Sequence, residues 1–156
     1  MPKKSRERNT MSIKMANFDE IKEGDTASVS KTVTEADVIL FAGITGDFNP
    51  LHVNDQFAKT TMFGRRLVHG AFSSGLISAV LGMKLPGPGA LYLDQKCAFK
   101  KPTFIGDTLT ATGTVKEKIV KQKEGKPPMK LLKIETIVTN QDNIVVTEGE
   151  ATIMVL

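Results

Sequence analysis

The segment from Val68 to Leu85 constrains the architecture of this chain more than any other. It is long, apolar and rich in small residues (Gly70, Ala71, Ser73, Ser74, Gly75, Ser78, Ala79, Gly82), and its one full charge is Lys84. The pattern predicts a helix over 68–85 that is buried on most sides, because it has no charged face to present to water. Its glycines cost helix propensity, about 1 kcal/mol each. They are tolerated where a sheet or a ligand must approach the backbone closely. Pro86-Gly87-Pro88-Gly89 then ends the helix.

The cover for that helix is expected from the residues after Ala90, which alternate like strands. Candidate strands are 90–99, 107–121, 129–139 and 144–155, with turns at Gly125/Pro127-Pro128 and at Asn140-Gln141-Asp142-Asn143. Long sequential strands joined by short turns favour an antiparallel meander. An antiparallel sheet wrapped around one helix is an α+β layer architecture. Ahead of the helix, residues 26–33 read as a strand of β-branched and small residues. Thr34 then suits a helix cap, with Asp37 as the capping-box acid three residues on. Positions 36, 39, 40, 43 and 44 follow helical spacing. Residues 54–59 suit one or two helical turns, and 60–67 read as an exposed loop.

A chain of 156 residues is expected to form one domain and is long enough to bury a sizeable core. No apolar run approaches ~18 residues, so no transmembrane helix is expected. Cys97 is the one cysteine. No internal disulfide can form, which fits a reducing, cytoplasmic compartment, and Cys97 is expected to be buried in a strand. The formal charge is +4, but Lys3, Lys4, Arg6 and Arg8 against Glu7 place +3 of it in the first ten residues. The expected division is a basic, disordered tail over 1–15 and a single domain over 16–156. With no Trp, one Tyr and no basic stripe in the body, nucleic acid is not an expected partner.

The candidate chemistry lies in one window. Both histidines fall within residues 52–69, and the first closes Asp47-Phe48-Asn49-Pro50-Leu51-His52. Pro50 disfavours helical geometry at Asn49. The preceding helix should therefore stop near Gly46 or Asp47, leaving His52 on a turn or short strand. A carboxylate and an imidazole on a rigid turn suit general acid-base chemistry. A plainer reading is an Asp turn in which the carboxylate bonds the local backbone. His69, in Val68-His69-Gly70, suits a capping or packing role. Two histidines and one distant cysteine are too few for a zinc site. The glycines at 43, 46, 87 and 89 do not follow a phosphate-loop pattern.

Asp47 to His52, then Val68-His69-Gly70 ahead of a long apolar helix, resembles the hydratase motif of the MaoC-like (R)-specific enoyl-CoA hydratases. The order of elements is similar to their hot-dog fold, an antiparallel sheet wrapped around a central helix, and the resemblance runs from about residue 18 to 156. It implies reversible addition of water across a trans-2-enoyl thioester, without metal or cofactor, coenzyme A being part of the substrate. It implies Asp47 and His52 as the catalytic pair sharing one water, and the Gly70 N–H as donor to the thioester oxygen. It further implies Asn49 as an orienting residue and, by position, Ser78 as a residue of the acyl pocket. Arg65, Arg66, Lys100 and Lys101 are candidate contacts for the phosphates of coenzyme A. A homodimer is expected, since the edges of such a sheet are a liability unless paired.

Three alternatives fit parts of the pattern. A 3-hydroxyacyl-(acyl carrier protein) dehydratase would use the same residues on another carrier. A hot-dog thioesterase would release free thiol, and the Asp-His pair with its Asn-Pro spacer argues against it. A non-catalytic acyl-thioester-binding module would hold an enoyl-CoA without loss of its ultraviolet absorbance. The tail has charge but no apolar periodicity, so it should add little to folding. A chain starting at Met11 is expected to keep its melting temperature and turnover; a clear fall in either would show that the tail is docked or functional.

Overall fold

The computed structural model describes residues 13–156. The basic segment 1–12, and with it most of the expected tail, lies outside the described residues. The elements are β1 (Thr26–Thr32), α1 (Glu35–Thr45), α2 (Pro50–Val53), α3 (Asp55–Lys59), α4 (Gly70–Met83), β2 (Ala90–Phe99), β3 (Thr108–Lys121), β4 (Met129–Thr139) and β5 (Val145–Val155). The strands form one antiparallel sheet in the order β1-β3-β4-β5-β2. The last three strands make the expected meander, and β1 and β2 extend it on either side. No helix of the described residues is long and apolar enough to cross a membrane.

The apolar spacing of α4 decides how it packs. Leu76, Ile77, Val80 and Leu81 fall on one face and are buried against Leu109, Ala111 and Val115 of β3, Ile134 and Val138 of β4, and Ala151 and Ile153 of β5. Full burial of such a side chain stabilises by about 1.5–3 kcal/mol. This is the hot-dog arrangement, with the sheet curled around the helix. Burial of α4 is one-sided, however. Ala71, Gly75, Ser78, Gly82 and Met83 are exposed, so the expectation of cover on most sides fails for the single chain. The outward face avoids charge by being small. The edge strand β2 is apolar and open as well, with Leu91, Tyr92 and Leu93 exposed.

Two local devices deliver the chain to the site. The capping box forms as the sequence predicts. The Thr34 side chain accepts from the Asp37 N–H, and the Asp37 carboxylate accepts from the Thr34 N–H at 2.8 Å. That backbone bond is the main reason the Asp37 carboxyl lies below its ordinary value. At its other end α1 stops at Gly46, whose φ of 78° is left-handed and suits glycine. The second device corrects an expectation. His52 lies in the short helix α2, not on a turn or strand. Pro50 bars helical geometry behind it, but its fixed φ suits the first helical position. Asn49 caps that helix by accepting from the Leu51 N–H at 3.0 Å.

Two glycines should respond to alanine with opposite signs. A Cβ at Gly149 would lie 1.8 Å from the carbonyl oxygen of Lys96 on the neighbouring strand, whereas one at Gly43, inside α1, would meet nothing within 4 Å. Gly149→Ala is expected to destabilise by about 3 kcal/mol by forcing β5 from β2. Gly43→Ala is expected to stabilise by about 0.5–1 kcal/mol. Urea unfolding checks both, and an unchanged midpoint for Gly149→Ala would contradict the strand register.

Candidate active site

Asp47 follows directly on the left-handed turn at Gly46, and His52 follows it on α2. Asp47 Oδ1 accepts from the Asn49 N–H at 3.2 Å. The turn reading of this motif therefore holds for one carboxylate oxygen, and Oδ2 is left for other work. The side chain is 51% exposed. His52 Nδ1 lies 2.9 Å from the carbonyl oxygen of Leu67. A carbonyl can only accept, so Nδ1 carries a proton, and in the neutral ring the lone pair lies on Nε2. The Leu67 carbonyl is itself held in place: Leu67 N–H donates to Leu51 O at 3.1 Å and Val68 N–H to Thr103 O at 2.9 Å.

Asp47, His52 and His69 each bring a carboxylate oxygen or ring nitrogen to within 4.8 Å of the others. Two hydrogen bonds of ~2.8 Å meeting at one water span roughly 4.6 Å, which is inside that limit. His69 Nε2 is 2.9 Å from the main-chain oxygen of Asp47. As donor to a carbonyl, that nitrogen has no lone pair to offer a cation. The His69 lone pair is on Nδ1, which is buried, so the group is left with a carboxylate and the His52 imidazole, a poor set for a zinc ion.

A cleft of ≈ 300 Å³ opens at His52, walled also by Phe63, Gly70, Phe99, Lys101 and Thr147, among others; Asp47 does not line it. Gly70 is the first residue of α4. Its N–H has no intrahelical partner and lies at the positive end of the helix dipole. A Cβ here would come within 3.2–3.3 Å of the Phe99 ring, so glycine keeps both backbone and ring at the cleft wall. Ser73 fixes this turn to the sheet. Its hydroxyl donates to Gly70 O at 2.7 Å and lies 2.9 Å from Thr147 Oγ1 on β5.

A family model described as MaoC like domain matches residues 16–137. The chain belongs to the MaoC-like family. It is 49% identical over 138 residues to an (R)-specific enoyl-CoA hydratase of Rhodospirillum rubrum, covering 88% of this chain and 90% of the relative. It is 41% identical over 114 residues to a 3-hydroxybutyryl-CoA dehydratase of Methylorubrum extorquens, covering 73% of each. Among solved structures it is similar to an R-hydratase of Pseudomonas aeruginosa in the unliganded form, with a TM-score of 0.82, 37% identity, and 90% of this chain and 86% of that one covered.

Within this MaoC-like chain the other residues singled out from the sequence take different places. Asn49 is next to the pair but acts as the cap of α2. Ser78 is exposed on the outer face of α4 and does not line the cleft. Lys100 and Lys101 both line it; Lys100 pairs with Glu148 at 3.0 Å, and Lys101 has no ion pair among the described residues. Arg65 stacks on Phe104, 3.6 Å from the ring centroid. Arg66 is engaged, with bonds to Glu35 at 2.5 and 2.8 Å and to Asp55 at 2.7 Å. Its pKa is raised chiefly by Glu35 and, less, by Asp55. Sequence reasoning did not find Leu67, whose contribution is a main-chain oxygen, nor Phe41, Ser73, Phe99 and Thr147, which carry no motif and are brought in from four separate elements.

Proposed function

We propose that this chain is an (R)-specific enoyl-CoA hydratase, adding water reversibly across a trans-2-enoyl-CoA to give the (R)-3-hydroxyacyl-CoA. One observation carries the reading: the Asp47 carboxylate lies within 4.8 Å of the His52 imidazole, and His52 lines a cleft bordered by the N-terminus of α4. With Nδ1 bound to Leu67 O, His52 uses Nε2 as the base. It takes a proton from the shared water as the water oxygen bonds to C3, and the imidazolium returns that proton to C2. Asp47 Oδ2 accepts the second water hydrogen and faces the imidazolium charge. The negative charge building on the thioester oxygen is met by the Gly70 N–H and the helix dipole, and fixed donors of this kind are often the largest catalytic contribution. Water is the one co-reactant, and coenzyme A belongs to the substrate. Lys101, which lines the cleft beside Lys100, is the best-placed cation for its phosphates. The R configuration follows the named activity of the relatives.

The same reading includes a homodimer. Edge strand β2 with Leu91, Tyr92 and Leu93, and the small outward face of α4, are surfaces that a two-fold pairing would cover. Light scattering at micromolar concentration is expected to give about twice the chain mass of 17.0 kDa. A monomer would count against it.

Loss of enoyl absorbance with crotonyl-CoA, and chiral analysis of the product, test the chemistry. Asp47→Asn and His52→Gln keep size and shape, and each is expected to lower turnover by about 10²–10⁴-fold. The double variant should lose much less than the product of the two, because both act on one water. Near-normal hydration by Asp47→Asn, or an (S)-3-hydroxy product, would sink the mechanism. Faster reaction of carrier-protein thioesters than of coenzyme A thioesters would move the assignment to a carrier-protein dehydratase.

A further inference from the structure

We propose that His69 is the positioning residue of this site, its Nε2–H fixing the Asp47 main chain while its ring supports His52 and its backbone opens α4. The inference rests on the hydratase reading for its catalytic consequence, and on geometry alone for its structural part. His69 occupies the N-cap of α4 but makes no side-chain cap bond, so the helix end does not account for the ring. The residue is 2% exposed. Its ring lies 3.9 Å from the His52 ring, centroid to centroid, with 30° between the planes, and 4.9 Å from the ring of Phe41 on α1. Its Nε2 reaches Asp47 O at 2.9 Å, across 22 positions of sequence.

A packing role alone fits these facts poorly. Nδ1 of His69 is buried without a partner, and a buried polar atom left unpaired costs stability. An apolar ring would fill the same space without that cost. What an apolar ring lacks is the Nε2–H. That one bond ties the residue bearing the carboxylate to the residue preceding the Gly70 N–H. Asp47 is then held twice, at Oδ1 by the Asn49 N–H and at its main-chain oxygen by His69, which aims Oδ2. His69 Nε2 lies 4.0 Å from that Oδ2, too far for a hydrogen bond, so it acts on Asp47 through the main chain. The two imidazoles consequently carry their protons on different nitrogens, His52 on Nδ1 and His69 on Nε2.

Two variants separate donor from filler. His69→Phe keeps an aromatic ring without the N–H, and His69→Gln places an amide N–H near the Nε2 position. With crotonyl-CoA, His69→Phe is expected to lower kcat by about 10²-fold with KM within about twofold, as for misplaced catalytic groups, and His69→Gln to recover to within about tenfold of wild type. Thermal unfolding of both variants checks that folding is retained. Nitrogen-15 spectra of the wild type read the tautomers without any substrate, and His52→Gln assigns the two rings. His69 protonated on Nε2 and His52 on Nδ1 are expected. A wild type that fails to hydrate crotonyl-CoA while showing these tautomers would remove the hydratase reading and leave the His69 bond standing. His69 protonated on Nδ1, a folded His69→Phe with normal kcat, or a folded His69→Gln as slow as the Phe variant would overturn the proposal.

Discussion

Every group in the site is referenced to the first turn of α4, and that turn is held by apolar contact between the helix and the inner face of the sheet. Leu76, Ile77, Val80 and Leu81 fix the helix along its length. Ser73, one turn from the N-terminus, adds direction by bonding Gly70 O and approaching Thr147 on β5. Once the helix is laid down, Gly70 stands at the cleft wall and the residues before it have little freedom. Phe99 then limits how far the backbone can move, since it already stands at contact distance from where a Cβ at position 70 would be.

The segment just before α4 passes this constraint to Asp47 and His52, the proposed catalytic pair. Val68 N–H binds Thr103 O, Leu67 N–H binds Leu51 O, and Leu67 O receives His52 Nδ1. Two of these bonds join the segment to α2, so the motif at 47–52 is docked against the helix start and is more than a free surface turn. The bonds also set the tautomer of the imidazole. A donor committed at Nδ1 leaves the lone pair of the neutral ring on Nε2, the nitrogen that the proposed reaction uses. The helix start and His52 are parts of one hydrogen-bonded unit, although His52 and Gly70 are 18 positions apart in the chain.

Signals that are local or periodic were legible in the sequence. The alternation of β2 to β5, the capping box at Thr34 and Asp37, the stop at Gly46 and the body of α4 all rest on residues within a few positions of one another. The motif placed Asp47 and His52 together because its Asn-Pro step ends one helix and opens the next within six residues. Less legible was anything that depends on what the fold brings alongside. Pro50 reads as a breaker or as a helix opener, and the cap from Asn49 decides between them. Arg66 looked like a free cation, but Glu35 arrives from α1 and Asp55 from α3 to engage it. A small-residue helix looked covered on most sides, and it is covered on one side only, because residue size does not reveal which neighbour, sheet or second copy, lies against which face.

The open face of α4 and the exposure of Asp47 bear on one another. Proton transfer to and from a bound enoyl thioester gains from exclusion of bulk water, yet in the single chain half of the Asp47 side chain is in solvent. Phe99 links the site to the edge of the sheet. It lines the cleft, belongs to the outermost strand β2 and is 56% exposed. In the proposed dimer a second sheet pairing along β2 would lie beside this ring and add a wall where the single chain has none. The unpaired edge, the small outward residues of α4 and the shallow cleft would then share one remedy. Assembly would stabilise the fold and complete the substrate site with the same contact.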